Sequence, residues 1–125
     1  MIVKTVLIIE DDSAIRELLT ALFTARGFGT SEAGDGDAGI ERARTGAPDL
    51  IVLDMSLPGM TGWEVLPLLR SHPNTRKTPV IALTAYDTPE SRDDAHNAGC
   101  DRFVAKLIDP DRLMEAVEEL VGTAG

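Results

Sequence analysis

The chain of 125 residues holds one cysteine, Cys100, which excludes a disulfide framework and a cysteine-rich metal site. Its apolar runs stop at four or five residues, far short of the roughly 20 a membrane-spanning helix needs. The N-terminal stretch "MIVKTVLIIEDD" turns acidic where a signal peptide would carry its apolar run and cleavage site, so no secretory segment is expected. Cations are outnumbered: 12 Lys and Arg face 21 Asp and Glu, for a formal charge of -9. That excess argues against the domain gripping nucleic acid or an anionic membrane by itself. Histidine is limited to His72, in the turn "SHPNT", and His96, in a polar helical stretch. Neither has a second ligand at metal spacing, and both read as solvated surface. Internal repeats and low-complexity linkers are missing, and only the closing "GTAG" reads as a frayed end. The length suits one domain with one core, spanning residues 1–125.

Four short runs are present: "TVLII" from Thr5, "LIVL" from Leu50, "VIAL" from Val80 and "RFVA" from Arg102. They do not alternate with polar residues, as expected of strands buried on both faces of a parallel sheet. "FGTSEA" from Phe28 is short and polar and fits an edge strand. Helical patterns separate the runs. "SAIRELLTALFTARG" puts Ile15, Leu18, Leu19, Leu22 and Phe23 on one predicted core face and ends at Gly27. "DGDAGIERARTG" is a weaker helix ending at Gly46. In "TGWEVLPLLRSH", Thr61 and Glu64 have the spacing of a capping box, Trp63 reads as a packing residue, and Pro67 should kink the helix or delay its start. "TPESRDDAHNAG" and "DPDRLMEAVEELVG" each open on an N-cap residue followed by proline. The former has only alanines for a stripe and should be weakly anchored; the latter has Leu113, Val117, Leu120 and Val121. Strands alternating with helices predict an α/β fold with a parallel sheet, whose ligand site lies at the carboxyl ends of the strands.

The residues that end the strands carry the chemistry. Glu10, Asp11 and Asp12 follow the first run, Asp54 ends the third strand, Thr84 the fourth and Lys106 the fifth. Singly, each has an ordinary reading as a helix-start acid, turn residue, strand former or surface lysine. Together they fall at one edge of one sheet. Carboxylates held close raise one another's pKa values unless a cation joins them. Mg²⁺ suits that place, because it takes oxygen ligands, keeps waters and bridges to phosphate. No His, Cys or Ser is placed as a nucleophile, so a carboxylate is the expected phosphoryl acceptor. Lys106, the Thr84 hydroxyl and backbone N–H groups near Met55 and Ala85 would hold the phosphoryl oxygens.

From "VLIIEDDSAIRELL" through "DLIVLDMSLPGMTGWEV" and "VIALTA" to "AGCDRFVAK", the sequence resembles the receiver domains of two-component response regulators. The resemblance implies a flavodoxin-like (βα)5 three-layer sandwich with a five-stranded parallel sheet of order 2-1-3-4-5; a chemotaxis regulator of that family illustrates this strand order. It implies Asp54 as phosphoacceptor. Asp11 would ligate Mg²⁺ directly and Glu10 through water, with Asp54 also in the metal set and Ser56 contributing its backbone carbonyl. Thr84 and Lys106, with Ala85, would bind the phosphoryl group, and Phe103 would be the switch aromatic. Ser56 and Tyr86 occupy positions that tune phosphoryl lifetime. The implied partners are a sensor histidine kinase or histidine phosphotransfer protein and a downstream effector or output domain, in the cytoplasm. The surface of the last two helices and the fifth strand would respond.

Three other readings compete. An Asp-nucleophile phosphohydrolase usually carries a second Asp two residues on, where this chain has Ser56. A flavin carrier needs a Ser/Thr/Gly-rich loop where "EDD" stands. A receiver acting as an interaction platform without phosphorylation would not need the intact acidic set. One departure from the family stands out: Leu107 occupies the place of a proline that usually follows the lysine through a cis bond. A cis bond costs roughly 0.5–1 kcal/mol before proline and about 2.5–4 before other residues. A trans Lys106–Leu107 bond and a re-routed loop are therefore expected.

Overall fold

A computed structural model describes residues 3–125. Five strands and five helices alternate: β1 Thr5–Ile9, α1 Ser13–Ala25, β2 Gly29–Ala33, α2 Gly36–Gly46, β3 Leu50–Asp54, α3 Gly62–Ser71, β4 Val80–Thr84, α4 Pro89–Ala98, β5 Arg102–Ala105 and α5 Pro110–Val121. All strand pairs are parallel, in the order β2-β1-β3-β4-β5. The expected flavodoxin-like sandwich is therefore present. Every residue of β3 and β4 is buried, which explains why their sequences are apolar without alternation. The polar "GTSEA" of β2 lies at the edge, where one side needs no cover.

The strand period of two divides the core. Leu7, Ile9, Ile51, Leu53 and Ala82 face α2, α3 and α4, represented by Ile40, Val65, Leu66, Leu69 and Ala95. Val6, Ile8, Val52, Ile81 and Leu83 face α1 and α5, represented by Leu19, Phe23, Leu113 and Val117. The stripe of α5 is as predicted, though Leu120 and Val121 are only partly covered. In α4 the single buried side chain is Ala95, matching its stripe of alanines alone.

Five local expectations need correction. Leu18 is 48% exposed, so the core face of α1 is narrower than the periodicity suggested. Thr61 is the N-cap of α3 but makes no capping bond; its hydroxyl donates to the Glu64 carboxylate at 3.4 Å, and the capping box stays open. Pro67 does not delay α3, which begins at Gly62 and runs through it. Trp63 is exposed and does not serve as a packing residue; Pro67 is exposed too, so the Trp63 carbonyl left without its helical partner can be served by water. The "GTAG" end is docked: Ala124 is buried, its carbonyl accepts from the Lys4 N–H at 2.8 Å, and the Lys4 ammonium donates to the carbonyls of Val121 and Thr123.

At the amino edge of the sheet Arg70 gathers several carbonyls. Its guanidinium donates to Gly99 at 2.8 and 3.0 Å and to Thr78 at 2.7 Å, and pairs with Asp101 at 3.1 Å. Gly99 is the C-cap of α4, with a left-handed φ of 109° that glycine adopts without strain. The C-terminal end of α4 is thus tied to α3, while its first turn is held by its own cap, the Thr88 hydroxyl accepting from the Ser91 N–H, and by the exposed Arg92–Asp87 pair.

Candidate functional site at the carboxyl edge of the sheet

The strand ends bring the predicted residues to one edge. Glu10 follows β1 and Asp54 ends β3, and both are fully buried; Asp11 is exposed. One carboxylate oxygen from each of the three lies within 4.8 Å of the others. Glu10 is fixed from both sides of its backbone. Its N–H donates to the Ala33 carbonyl at 3.0 Å, and its carbonyl accepts from Arg16 at 2.8 Å. Asp12 does something different from its neighbours: it caps α1, accepting from the N–H groups of Ala14 and Ile15.

Lys106 supplies the cation. Its ammonium lies 2.9 Å from Asp54 Oδ2 and 3.3 Å from Glu10 Oε1. The other Asp54 oxygen, Oδ1, accepts from the Ser56 N–H at 2.9 Å. Glu10 Oε1 also accepts from the Asp12 N–H at 3.2 Å, whereas Glu10 Oε2 is buried with no partner. Burial, and then the charge of Asp54, push the Glu10 carboxyl up to about 7 despite the opposing pull of the Asp12 N–H and Lys106. Burial works against the charge of Lys106, but the hydrogen bond and charge of Asp54, joined by Glu10, outweigh it and raise its pKa.

The position of Lys106 is set by its backbone, whose N–H donates to the Thr84 carbonyl at 2.7 Å and extends the ladder one residue beyond β5. No cis peptide bond occurs among the described residues, so the Lys106–Leu107 bond is trans, as expected. Leu107 turns outward and is 96% exposed. The trans route does not prevent Lys106 from reaching the acids.

Thr84 is buried at the end of β4, and its hydroxyl accepts from the Tyr86 N–H at 3.1 Å. Ala85 and Tyr86 beyond it are exposed. The expected N–H donor at Met55 is already used, donating to the Leu83 carbonyl at 2.9 Å; the N–H that reaches Asp54 is that of Ser56. Gly62 allows α3 to sit against this loop: a Cβ there would lie 2.6 Å from Met55 Cα and 2.8 Å from the Asp54 carbonyl oxygen. Phe103 stands apart from the acids. Half-buried on β5, it is paired in register with Ala82 and carries the Arg92 guanidinium 5.2 Å from its ring centre. Arg16 and Arg92 escaped the sequence reading; an arginine one turn into a helix gives no sign of which carbonyl or ring it will meet.

Fold and site define a doubly wound α/β domain with an acidic pocket, a hydroxyl and a lysine at the carboxyl edge of its sheet. The chain belongs to the response regulator receiver domain family, whose family model matches residues 6–118. It is thereby a signalling module of a two-component system. It is 32% identical over 121 residues to the polar-differentiation response regulator DivK of Brucella anthropi, covering 97% of this chain and 98% of the relative. Among solved structures it is similar to the receiver domain of a Francisella response regulator, with a TM-score of 0.86 and 31% identity over 94% of this chain and 95% of that one. It is also similar to the receiver domain of a sensor histidine kinase from Pseudomonas aeruginosa PAO1, described with magnesium coordinated in its active site cleft. There the TM-score is 0.87, with 25% identity over 96% of this chain and 98% of that one.

Proposed function

We propose that the domain, acting as a single receiver unit over residues 1–125, takes a phosphoryl group onto Asp54 from a histidine kinase or a histidine phosphotransfer protein. The observation that carries this reading is the state of Asp54: a buried carboxylate held at one oxygen by the Ser56 N–H and at the other by Lys106, beside two further acids. In the transfer an Asp54 oxygen attacks the phosphorus of the donor's phosphoimidazole. The P–N bond breaks, its electron pair returns to the imidazole nitrogen, and the new P–O bond makes an acyl phosphate.

The residues fit Mg²⁺. Three carboxylates converge, and Glu10 Oε2 is a buried acceptor with no donor, an arrangement that favours a cation or its bound water. Glu10, Asp11, Asp54 and the Ser56 carbonyl would hold the ion. When bound, it would supply positive charge to the carboxylates and to the incoming phosphoryl oxygens. Lys106, already within reach of Asp54, would pair with a phosphoryl oxygen. The Thr84 hydroxyl would leave the Tyr86 N–H for another such oxygen, with the Ala85 N–H beside it, and Phe103 would follow inward. These shifts would alter the face made by α4, β5 and α5, where an effector protein or output domain reads the state. The magnesium described in the Pseudomonas relative supports the same assignment.

A cytoplasmic location, with no nucleic acid or membrane engaged by this domain, completes the reading; no helix among the described residues is long and apolar enough to cross a membrane. Acetyl phosphate with Mg²⁺ should add the mass of one phosphoryl group to the wild type and none to Asp54→Asn or to protein in EDTA. An adduct that survives Asp54→Asn, or none in the wild type with either acetyl phosphate or beryllofluoride, overturns it.

A further inference from the structure

Phe103 is only partly packed: it lies against the edge of the core cluster on the α4 side of the sheet, and its ring also meets a charge. Its ring borders two hollows, one of about 400 Å³ between α4 and α5 and one of about 220 Å³ toward His96 and Cys100. Arg92 borders both hollows as well and lies over the ring between them. The guanidinium is itself anchored. It donates to Asp87 Oδ1 at 2.8 Å from Nε and lies 2.6 Å from it at Nη2. Asp87 belongs to the loop that leaves Thr84, three residues further on.

The register supplies the other half. Ala82 pairs with Phe103 and Thr84 with Ala105, so Thr84, Phe103 and Ala105 share one face of the sheet. Phe103 stands one pleat back from the Thr84 hydroxyl, and the residue opposite Thr84 is small. An inward movement of the ring meets no large side chain on β5, and it gives up the contact with Arg92 as well as part of the present packing against the core.

We infer that Arg92 is a positioning residue, pinned by Asp87, that holds the Phe103 ring in its resting, outward place and so sets the threshold of the switch. This rests on the phosphoacceptor reading and adds its regulation. A cation over an aromatic ring at a half-exposed site is worth about a two- to fivefold bias in a two-state equilibrium. Because Asp87 lies on the loop after Thr84, a movement of that loop toward a phosphoryl group would draw Arg92 off the ring. The loop movement and the ring's release are then one event.

The test uses the full chain labelled with 4-fluorophenylalanine. Three phenylalanines are present, and Phe103→Leu assigns the signal of interest. In the unphosphorylated protein, Arg92→Gln should move the Phe103 fluorine signal toward its beryllofluoride-saturated position, by about two- to fivefold in equilibrium constant. Asp87→Asn should do the same in part. Arg92→Lys, which keeps charge and loses the planar fork, should fall between Gln and wild type. Phosphorylation by acetyl phosphate should speed up by a similar factor in Arg92→Gln and not when Phe103→Leu is also present. Arg92 and Asp87 are about half exposed, so these variants should fold. If beryllofluoride shifts the wild-type signal but Arg92→Gln leaves it in place, the latch is overturned. If beryllofluoride does not move the Phe103 signal at all, the aromatic switch fails first and the latch falls with it.

Discussion

Glu10→Gln should stabilise the metal-free protein at neutral pH and do almost nothing at acid pH. In the folded chain the Glu10 carboxyl is pushed from the ordinary 4.5 up to about 7, by burial and then by Asp54. The folded state therefore holds this proton more tightly than the unfolded state does. Between pH 4.5 and 7 unfolding releases a proton, so the contribution of Glu10 to stability falls as pH rises and levels off above pH 7. A rise from 4.5 to about 7 costs about 3 kcal/mol once Glu10 is fully charged, and less than a third of that is felt at pH 5. A glutamine carries no titrating charge and can still accept from the Asp12 N–H. Urea unfolding of both proteins in EDTA from pH 5 to pH 8 measures the difference directly. The advantage of Glu10→Gln should grow by about 2–3 kcal/mol over that range and flatten above pH 7. Saturating Mg²⁺ should shrink it, because an ion bound only to the folded state stabilises the wild type by mass action. A difference that is constant with pH, or one in which the wild type gains as pH rises, would refute the electrostatic account of the pocket.

Lys106→Met leaves Asp54 and Glu10 buried without their cation and should cost the metal-free protein about 2 kcal/mol at pH 7, read by urea unfolding, with part of the loss recovered in Mg²⁺. Since the Lys106 pKa is raised, its contribution should persist through neutral and mildly alkaline pH and fade only above the ordinary 10.5. Gly62→Ala forces a Cβ against the backbone of Asp54 and Met55, so thermal unfolding should show a loss of about 1–3 kcal/mol and acetyl phosphate labelling should slow. Ala47, the C-cap of α2, holds a left-handed φ of 44°; Ala47→Gly should raise stability by about 0.5–1 kcal/mol in the same assay.

The strand ends were legible because a parallel sheet writes itself as short apolar runs, and the polar residue that closes each run is the one left at the edge. Glu10, Asp54, Thr84 and Lys106 could be named on that ground alone, and Leu107 announced its trans bond through the cost of the alternative. What the sequence could not display were bonds between distant backbone groups. Lys4 meets Val121 and Thr123 across more than a hundred residues, so "GTAG" reads as a loose end although it is clasped. Leu18 fits the helical period of α1 but sits beyond the width of its buried stripe. Thr61 and Glu64 have the right spacing for a capping box, yet the hydroxyl turned to the carboxylate instead of the backbone.

The knot of bonds around Arg70 gives α4 the mechanics of a lever. Its far end is bolted at Gly99 and Asp101 to α3 and to the entry of β5, and its near end, beside the site, is held by the Thr88 cap and by the exposed Arg92–Asp87 pair. Any displacement of α4 is then a swing about a fixed pivot, not a slide. The helix has 10 residues and a length of about 15 Å, so a tilt of about 10° would carry the first turn by about 2–3 Å while Cys100 stays still. The amplitude is delivered at the first turn, where Arg92 lies over Phe103, and the pivot spares the core beneath Ala95. A small push at the pocket would become a larger displacement at the surface without repacking the interior.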